Sequence, residues 1–437
     1  MSGNISRRAV IAAAAAAAAA PTASLAATRG PRPLPKGFLW GTAISGHQSE
    51  GNNVNADTWL LENLTPTVYK DRSGDACDSY HRYAEDIALN AALGFNTYRF
   101  GIEWSRIEPS EGRFSNAELD HYVRVLEACH AKGQTPIVTF NHFSAPLWFS
   151  MRGGWERPDA ADLFARYCQV VAKRFGGLMG RCTTFNEANV QLLVQVMGAM
   201  APPNPIRAKM LDAARKATGS DAFMAMAYSN PEISQPIMLD AHRKGYQAIK
   251  AERSALQVGV SLTTQEVAAV GENSIAPRME KALYGGWADV ARTHSDFTGV
   301  QTYTRLLYDD KGIVLWPKGT EMTAAGYEFR PEALAATIRW AHRTIGKPIY
   351  VTESGIGTDD DARRIVFIDR ALAGVRQCID EGIPVHGYLY WSLLDNFEWT
   401  SGFDKHFGLV AVDLKTFKRT PKPSAYHLGR IALSNRI

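Results

Sequence analysis

About eight short β-prone runs, most of them followed by a helical stretch, recur along the chain. That alternation constrains the fold more than any other feature. The runs include Phe38-Leu39-Trp40-Gly41-Thr42-Ala43, Gln134 to Phe140, Arg181 to Phe185, Gln257 to Leu262, Ile349 to Thr352 and Val385 to Ser392. Helical patterns lie at about 117–132, 160–175, 235–253 and 362–381. An amphipathic helix after Asp75 runs to Leu93, and Gly94 marks its end. The repeated units predict an α/β fold, a single (β/α)8 TIM barrel with extended βα loops. Such barrels carry their chemistry at the C-terminal ends of the strands. At 437 residues the chain is long for a usual single domain, yet within reach of a barrel with long loops.

Two of the runs end in a carboxylate. Ile349-Tyr350-Val351-Thr352 is followed by Glu353, then Ser354 and Gly355, where the chain can turn away. A charge at the end of an apolar strand is costly to desolvate unless something pairs with it. Alone, such a glutamate is most often solvated or structurally paired. Arg181-Cys182-Thr183-Thr184-Phe185-Asn186-Glu187 has the same form. Two carboxylates at the ends of two strands are what cleavage of a glycosidic bond needs, one as nucleophile and one as acid, then base.

Thr184-Phe185-Asn186-Glu187 and Ile349 to Gly355 resemble the acid/base and nucleophile motifs of glycoside hydrolase family 1, the retaining β-glucosidase family. The stretch Tyr390-Trp391-Ser392-Leu393-Leu394-Asp395-Asn396-Phe397-Glu398-Trp399 resembles the family's Y-W-S-L-L-D-N-F-E-W almost letter for letter. Phe38 to Gly51 is similar to its N-terminal signature, and Tyr98 to Ile107 to its Y-R-F-x-I-x-W-S-R-I. The resemblance runs from Pro35 to about Tyr426.

It implies Glu353 as nucleophile and Glu187 as acid/base, with Arg99 and Tyr303 beside the nucleophile. A nearby cation keeps a carboxylate ionised. It implies sugar contacts from Gln48, His142, Asn186, Gln301, Trp391, Glu398, Trp399 and Phe407. Glutamine and asparagine amides both donate to and accept from hydroxyls, and indoles give flat apolar faces. Glu103 and Arg106 are read as structural. The chain departs from the family at several positions. Phe143 and Ser144 replace a tryptophan and an acidic residue, Ala188 replaces a proline, Gln301 an asparagine, and Thr302 a tyrosine. Relatives that cleave 6-phosphosugars have serine and tyrosine where Glu398 and Phe407 stand, so an unphosphorylated sugar is expected. The resemblance requires no metal or cofactor. The apolar segment Val190 to Pro205 has two readings: an apolar leaving-group subsite at the entrance, or a helix packed on the barrel.

A net charge of +4 is small for this length and gives no case for nucleic acid. Cys77, Cys129, Cys168, Cys182 and Cys378 lack metal-ligand spacing and read as small core residues. Export would allow one disulfide, and the odd count leaves at least one thiol free. Residues 1–27 read as a signal peptide and 28–437 as the catalytic domain. Ser6-Arg7-Arg8-Ala9-Val10-Ile11 opens an alanine-rich run that stops at Pro21, a layout that resembles a twin-arginine signal. A periplasmic or secreted bacterial enzyme is expected. The run is too short to span a bilayer, and no later segment is apolar for long enough. The expected partner is a small-molecule β-glycoside; the oligomeric state is left open. The alternatives are a transglycosylase on the same site, favoured by an apolar entrance, and a barrel that binds glycans without turnover.

Overall fold

The computed structural model describes residues 31–198 and 204–437. The expected signal peptide, and Met200, Pro202 and Pro203 of the apolar segment, lie outside the described residues. Eight strands form one closed barrel: β1 (Leu39–Ala43), β2 (Thr97–Gly101), β3 (Thr135–Asn141), β4 (Arg181–Phe185), β5 (Gln257–Thr263), β6 (Phe297–Gln301), β7 (Ile349–Ser354) and β8 (Val385–Trp391). Each pairs in parallel with the next, and β8 returns to β1. The fold is therefore the predicted (β/α)8 barrel. All-parallel pairing covers both faces of the sheet, and β1, β2, β6 and β7 are buried at every residue. This is why these strands read as apolar runs rather than as alternations.

The helices lie close to their predicted spans, at Asn116–Ala131, Ala160–Phe175, Pro231–Glu252 and Asp361–Asp380. The third begins about a turn earlier than the pattern indicates. Asn230 caps it by accepting from the Glu232 N–H at 3.1 Å, and Pro231 follows at the first helical position, where its missing donor costs nothing. Asp360 caps the fourth through the N–H groups of Ala362 and Arg363. An aromatic layer joins barrel to helices: Trp104 stacks on Tyr167 at 5.1 Å, and Phe164 on Phe185 at 4.7 Å. Inside the barrel, the Ser261 and Thr352 hydroxyls meet at 3.0 Å beside Gly299. A Cβ on that glycine would run into both.

Two features have no counterpart in the sequence reading. A small sheet of Glu266–Ala269, Arg305–Tyr308 and Ile313–Val314 follows β5 and β6. A buried Arg419–Asp86 pair, Nε to Oδ1 at 2.8 Å, fastens the C-terminal segment to the helix Ser79–Ala92. All five cysteines are buried and unbridged. Among the described residues, no helix is long and apolar enough to cross a membrane.

Candidate active site

The ends of the strands converge on one cavity of about 240 Å³. Ten of the twelve predicted site residues line it: Gln48, His142, Asn186, Glu187, Tyr303, Glu353, Trp391, Glu398, Trp399 and Phe407. Arg99 and Gln301 are fully buried behind the lining. Glu353 sits near the end of β7, beside an irregularity in its pairing with β6 that falls between Val351 and Glu353. Such a slip re-aims a side chain. Glu187 lies just beyond β4 in a left-handed conformation, φ +41°. Phe143 and Trp399, also on the wall, have φ of +70° and +51°. Positive φ is unfavourable for residues with a Cβ, and it concentrates where the surroundings over-determine the backbone.

The two glutamates have unequal surroundings. Arg99 Nη1 lies 2.6 Å from Glu353 Oε1, and the Tyr303 hydroxyl donates to Oε2 at 2.7 Å. Burial raises the proton affinity of Glu353, while Arg99, Tyr303 and Gln301 oppose it. Glu187 has weaker support from the Thr263 hydroxyl and the more distant Arg99 charge. Burial, then the charge of Glu353, push its carboxyl up to about 8. Both carboxyls therefore hold a proton more tightly than usual, and the direct cation and hydroxyl donor lie on Glu353.

Asn186 joins this pair to the sugar-facing wall. Its Oδ1 accepts from Arg99 Nη2 at 2.5 Å and from Gln301 Nε2 at 2.6 Å, which fixes its amide orientation. Its Nδ2 therefore donates to His142 Nε2 at 3.1 Å. That assigns the His142 proton to Nδ1, which has no protein partner. Burial, then the Arg99 charge, hold His142 well below the usual imidazole range, so it is neutral. Its ring lies 5.6 Å from that of Trp391 and 6.2 Å from that of Trp399. Trp391 Nε1 donates to Glu398 Oε1 at 3.3 Å. Burial pushes the Glu398 carboxyl up to about 8. Gln48 is held by Ser45, Asn396 and the Phe397 carbonyl. Phe407 meets Tyr303 edge-on at 6.0 Å.

Gln301 departs from its predicted sugar contact. Its Oε1 accepts the Glu187 N–H at 3.0 Å and its Nε2 donates to Asn186, so both ends of the fully buried arm are taken up by protein groups. Glu103 and Arg106 are structural, as expected. Ser144, at the position where the family has an acid, donates to Glu103 Oε2 at 2.7 Å, and Arg106 pairs with Glu50 at 2.7 Å. The apolar segment forms a helix, Val190–Gly198, whose Leu193 and Met197 reach the cavity wall. Thr263, Gln265, Thr304, Leu306 and Tyr327 also line it, unread in the sequence. Thr263 ends β5, a position that barrel logic alone marks. Tyr327 lies in an irregular loop that carries no signal. Among the described residues, no group of three or more His, Cys, Asp or Glu side chains is placed to hold a metal ion.

Comparison with known proteins agrees with this geometry. The family model for glycosyl hydrolase family 1 matches residues 31–291 and 292–437. The chain is 29% identical to Beta-glucosidase A of Thermotoga maritima over 461 aligned positions, covering 92% of this chain and 98% of the relative. Among solved structures, the apo form of a beta-glucosidase, 1317, is 44% identical with a TM-score of 0.88, covering 91% of this chain and 98% of that one. A beta-glycosidase from Pyrococcus horikoshii is 30% identical with a TM-score of 0.78, covering 93% and 96%. These likenesses extend over the whole described barrel, and the chain belongs to glycosyl hydrolase family 1, as a glycoside hydrolase with β-glycosidase function.

Proposed function

We propose that the enzyme is a retaining β-glucosidase-like hydrolase acting on terminal, unphosphorylated β-D-glucosyl or related residues. The observation that carries this reading is the inequality of the two glutamates: Glu353 is held by Arg99 and Tyr303, while burial and the charge of Glu353 raise the proton affinity of Glu187. Glu353 attacks the anomeric carbon as Glu187 gives its proton to the leaving oxygen. The C–O bond to the aglycone breaks and a covalent glycosyl-enzyme forms. Glu187, now ionised, takes a proton from water, which attacks the same carbon and releases the sugar with retained configuration. Asn186 sits where it can bond the 2-hydroxyl, a contact that strengthens in the transition state. His142 Nδ1–H, Gln48, Glu398 and Trp399 supply further hydroxyl partners, and Trp391 a stacking face.

No lysine or arginine is among the described residues lining the cavity, which favours an uncharged sugar over a phosphorylated one. Leu193, Met197 and Leu306 on the wall favour an apolar or aryl aglycone.

Proton NMR of the first-released sugar, with Glu187→Gln assayed in parallel, tests the reading. It expects the β anomer first. The variant keeps turnover of dinitrophenyl glycosides, loses that of poor leaving groups, and gives a β-glycosyl azide with azide. Release of the α anomer, or full activity in the variant, contradicts it. Transfer to an added alcohol exceeding hydrolysis would favour the transglycosylase reading, and binding without turnover a glycan-binding barrel.

We also propose that residues 1–27 direct export to the periplasm or medium. The support is the paired arginines before the alanine-rich run. The N-terminus of the secreted protein tests this: cleavage after about Ala26 is expected, and an exported chain still carrying Arg7 and Arg8 contradicts it.

A further inference from the structure

We propose that Gln301 is the positioning residue for the acid/base glutamate, an inference that rests on Glu187 being that residue. Its backbone stands opposite Glu353 in the pairing of β6 with β7. Its side chain crosses to the other carboxyl-bearing strand, where Oε1 accepts the Glu187 N–H at 3.0 Å and Nε2 donates to Asn186 Oδ1 at 2.6 Å. Asn186 Oδ1 also takes Arg99 Nη2, and Arg99 Nη1 holds Glu353. The chain Glu187–Gln301–Asn186–Arg99–Glu353 thus links both carboxyl-bearing segments through the buried Gln301 and Arg99 side chains, with Asn186 on the cavity wall between them.

Glu187 needs such a support. The Asn186 N–H is held by the Asn141 carbonyl at 2.8 Å and the Ala188 N–H by the Ser261 carbonyl at 3.0 Å. Between them Glu187 turns through φ +41°, and its own N–H is taken up by a side chain. An asparagine at position 301 would draw its carbonyl oxygen back by about one C–C bond, ~1.5 Å. The acceptor would then lie beyond about 3.5 Å and the bond would be lost. The glutamine is therefore fitted to this backbone in length as well as in chemistry. Displacing a catalytic group by about 1 Å costs on the order of a hundredfold in rate.

The test is kcat/KM of Gln301→Ala and Gln301→Asn on an aryl glucoside series, from dinitrophenyl to phenyl leaving groups, beside Glu187→Gln. General acid help matters most for the poor leaving groups. Both Gln301 variants are expected to lose at least about tenfold more on phenyl than on dinitrophenyl glucoside, a part of the roughly 10²–10⁴ that general acid catalysis supplies. Equal losses across the series in the soluble variants, or no loss in Gln301→Asn, overturn the proposal. If Glu187→Gln itself shows no leaving-group dependence, the acid/base assignment fails first, and the two failures are told apart. Should Gln301→Ala not fold, Gln301→Asn keeps the amide and decides alone.

Discussion

Arg99 Nη1 and Glu353 Oε1 lie 2.6 Å apart, with the arginine side chain fully buried and the carboxylate nearly so. The pair crosses the barrel interior from β2 to β7. Taking two charges out of water is repaid only by good geometry and further hydrogen bonds. Here the Tyr303 hydroxyl and Asn186 Oδ1 provide them. The consequence is that the ionised form of Glu353 is favoured against the cost of burial at the end of an apolar strand.

Replacing Arg99 with Met removes that counter-charge. The proton affinity of Glu353 then rises, so the acidic limb of the kcat/KM profile moves to higher pH. Stability falls by about 3 kcal/mol or more, as when a buried pair loses one partner. Urea unfolding and a pH–rate profile of the variant check both; an unmoved acidic limb would contradict the pairing.

On the proposed mechanism the alkaline limb of activity belongs to Glu187, which must carry its proton to act as acid. Activity is expected to fall as pH rises through about 8. In the trapped glycosyl-enzyme the charge of Glu353 is gone, and the Glu187 value drops, because like-charge repulsion is one of the causes that raise it. Carbon NMR of the labelled carboxyl in free and trapped enzyme follows the change; the same titration in both states would contradict it.

Stability carries a related sign. Burial raises Glu50 to about 7 and Glu187 and Glu398 to about 8, from an ordinary value of 4.5. Between 4.5 and about 8 the folded chain holds more protons than the unfolded one, so the contribution of these groups falls as pH rises. It is fully present below 4.5 and lost once pH has passed through about 8. The thermal midpoint is expected to be higher at pH 5.5 than at pH 8.5, with a smaller difference in Glu398→Gln. A midpoint that climbs with pH would contradict the protonated state of these carboxyls.

The mouth of the cavity predicts selectivity. Met197→Asp places a charge beside Leu193 and Leu306 on the wall. Its kcat/KM on octyl or aryl glucosides is expected to fall about tenfold or more relative to cellobiose, the scale of one lost apolar contact at about 1–3 kcal/mol. Equal losses on both substrates would favour a helix that only packs on the barrel.

The barrel was legible because its strands are buried on both faces and its helices carry stop signals such as Gly94, which local sequence shows directly. Glu187, Glu353 and Trp391 were legible because they sit at strand ends inside specific motifs, and Glu398 because the last motif continues into the loop after β8. Tyr327 was not, because its place on the wall is set by an irregular loop without periodicity. Gln301 was legible as an amide near the site but not in its direction. That direction depends on the left-handed turn at Glu187, which lies 114 residues away along the chain. The small sheet after β5 and β6 was hidden for the same reason, since its pairing is decided across loops rather than within a run.

The central claim, that Glu353 is the nucleophile opposite the acid/base Glu187, is tested most directly by covalent trapping. Incubation with a 2-deoxy-2-fluoro-β-glucosyl fluoride, followed by digestion and mass spectrometry, reads the labelled residue. A single fluorosugar on the peptide containing Glu353, absent in Glu353→Gln, is the predicted result. A label on another carboxylate, or turnover with inversion and no label, would contradict it.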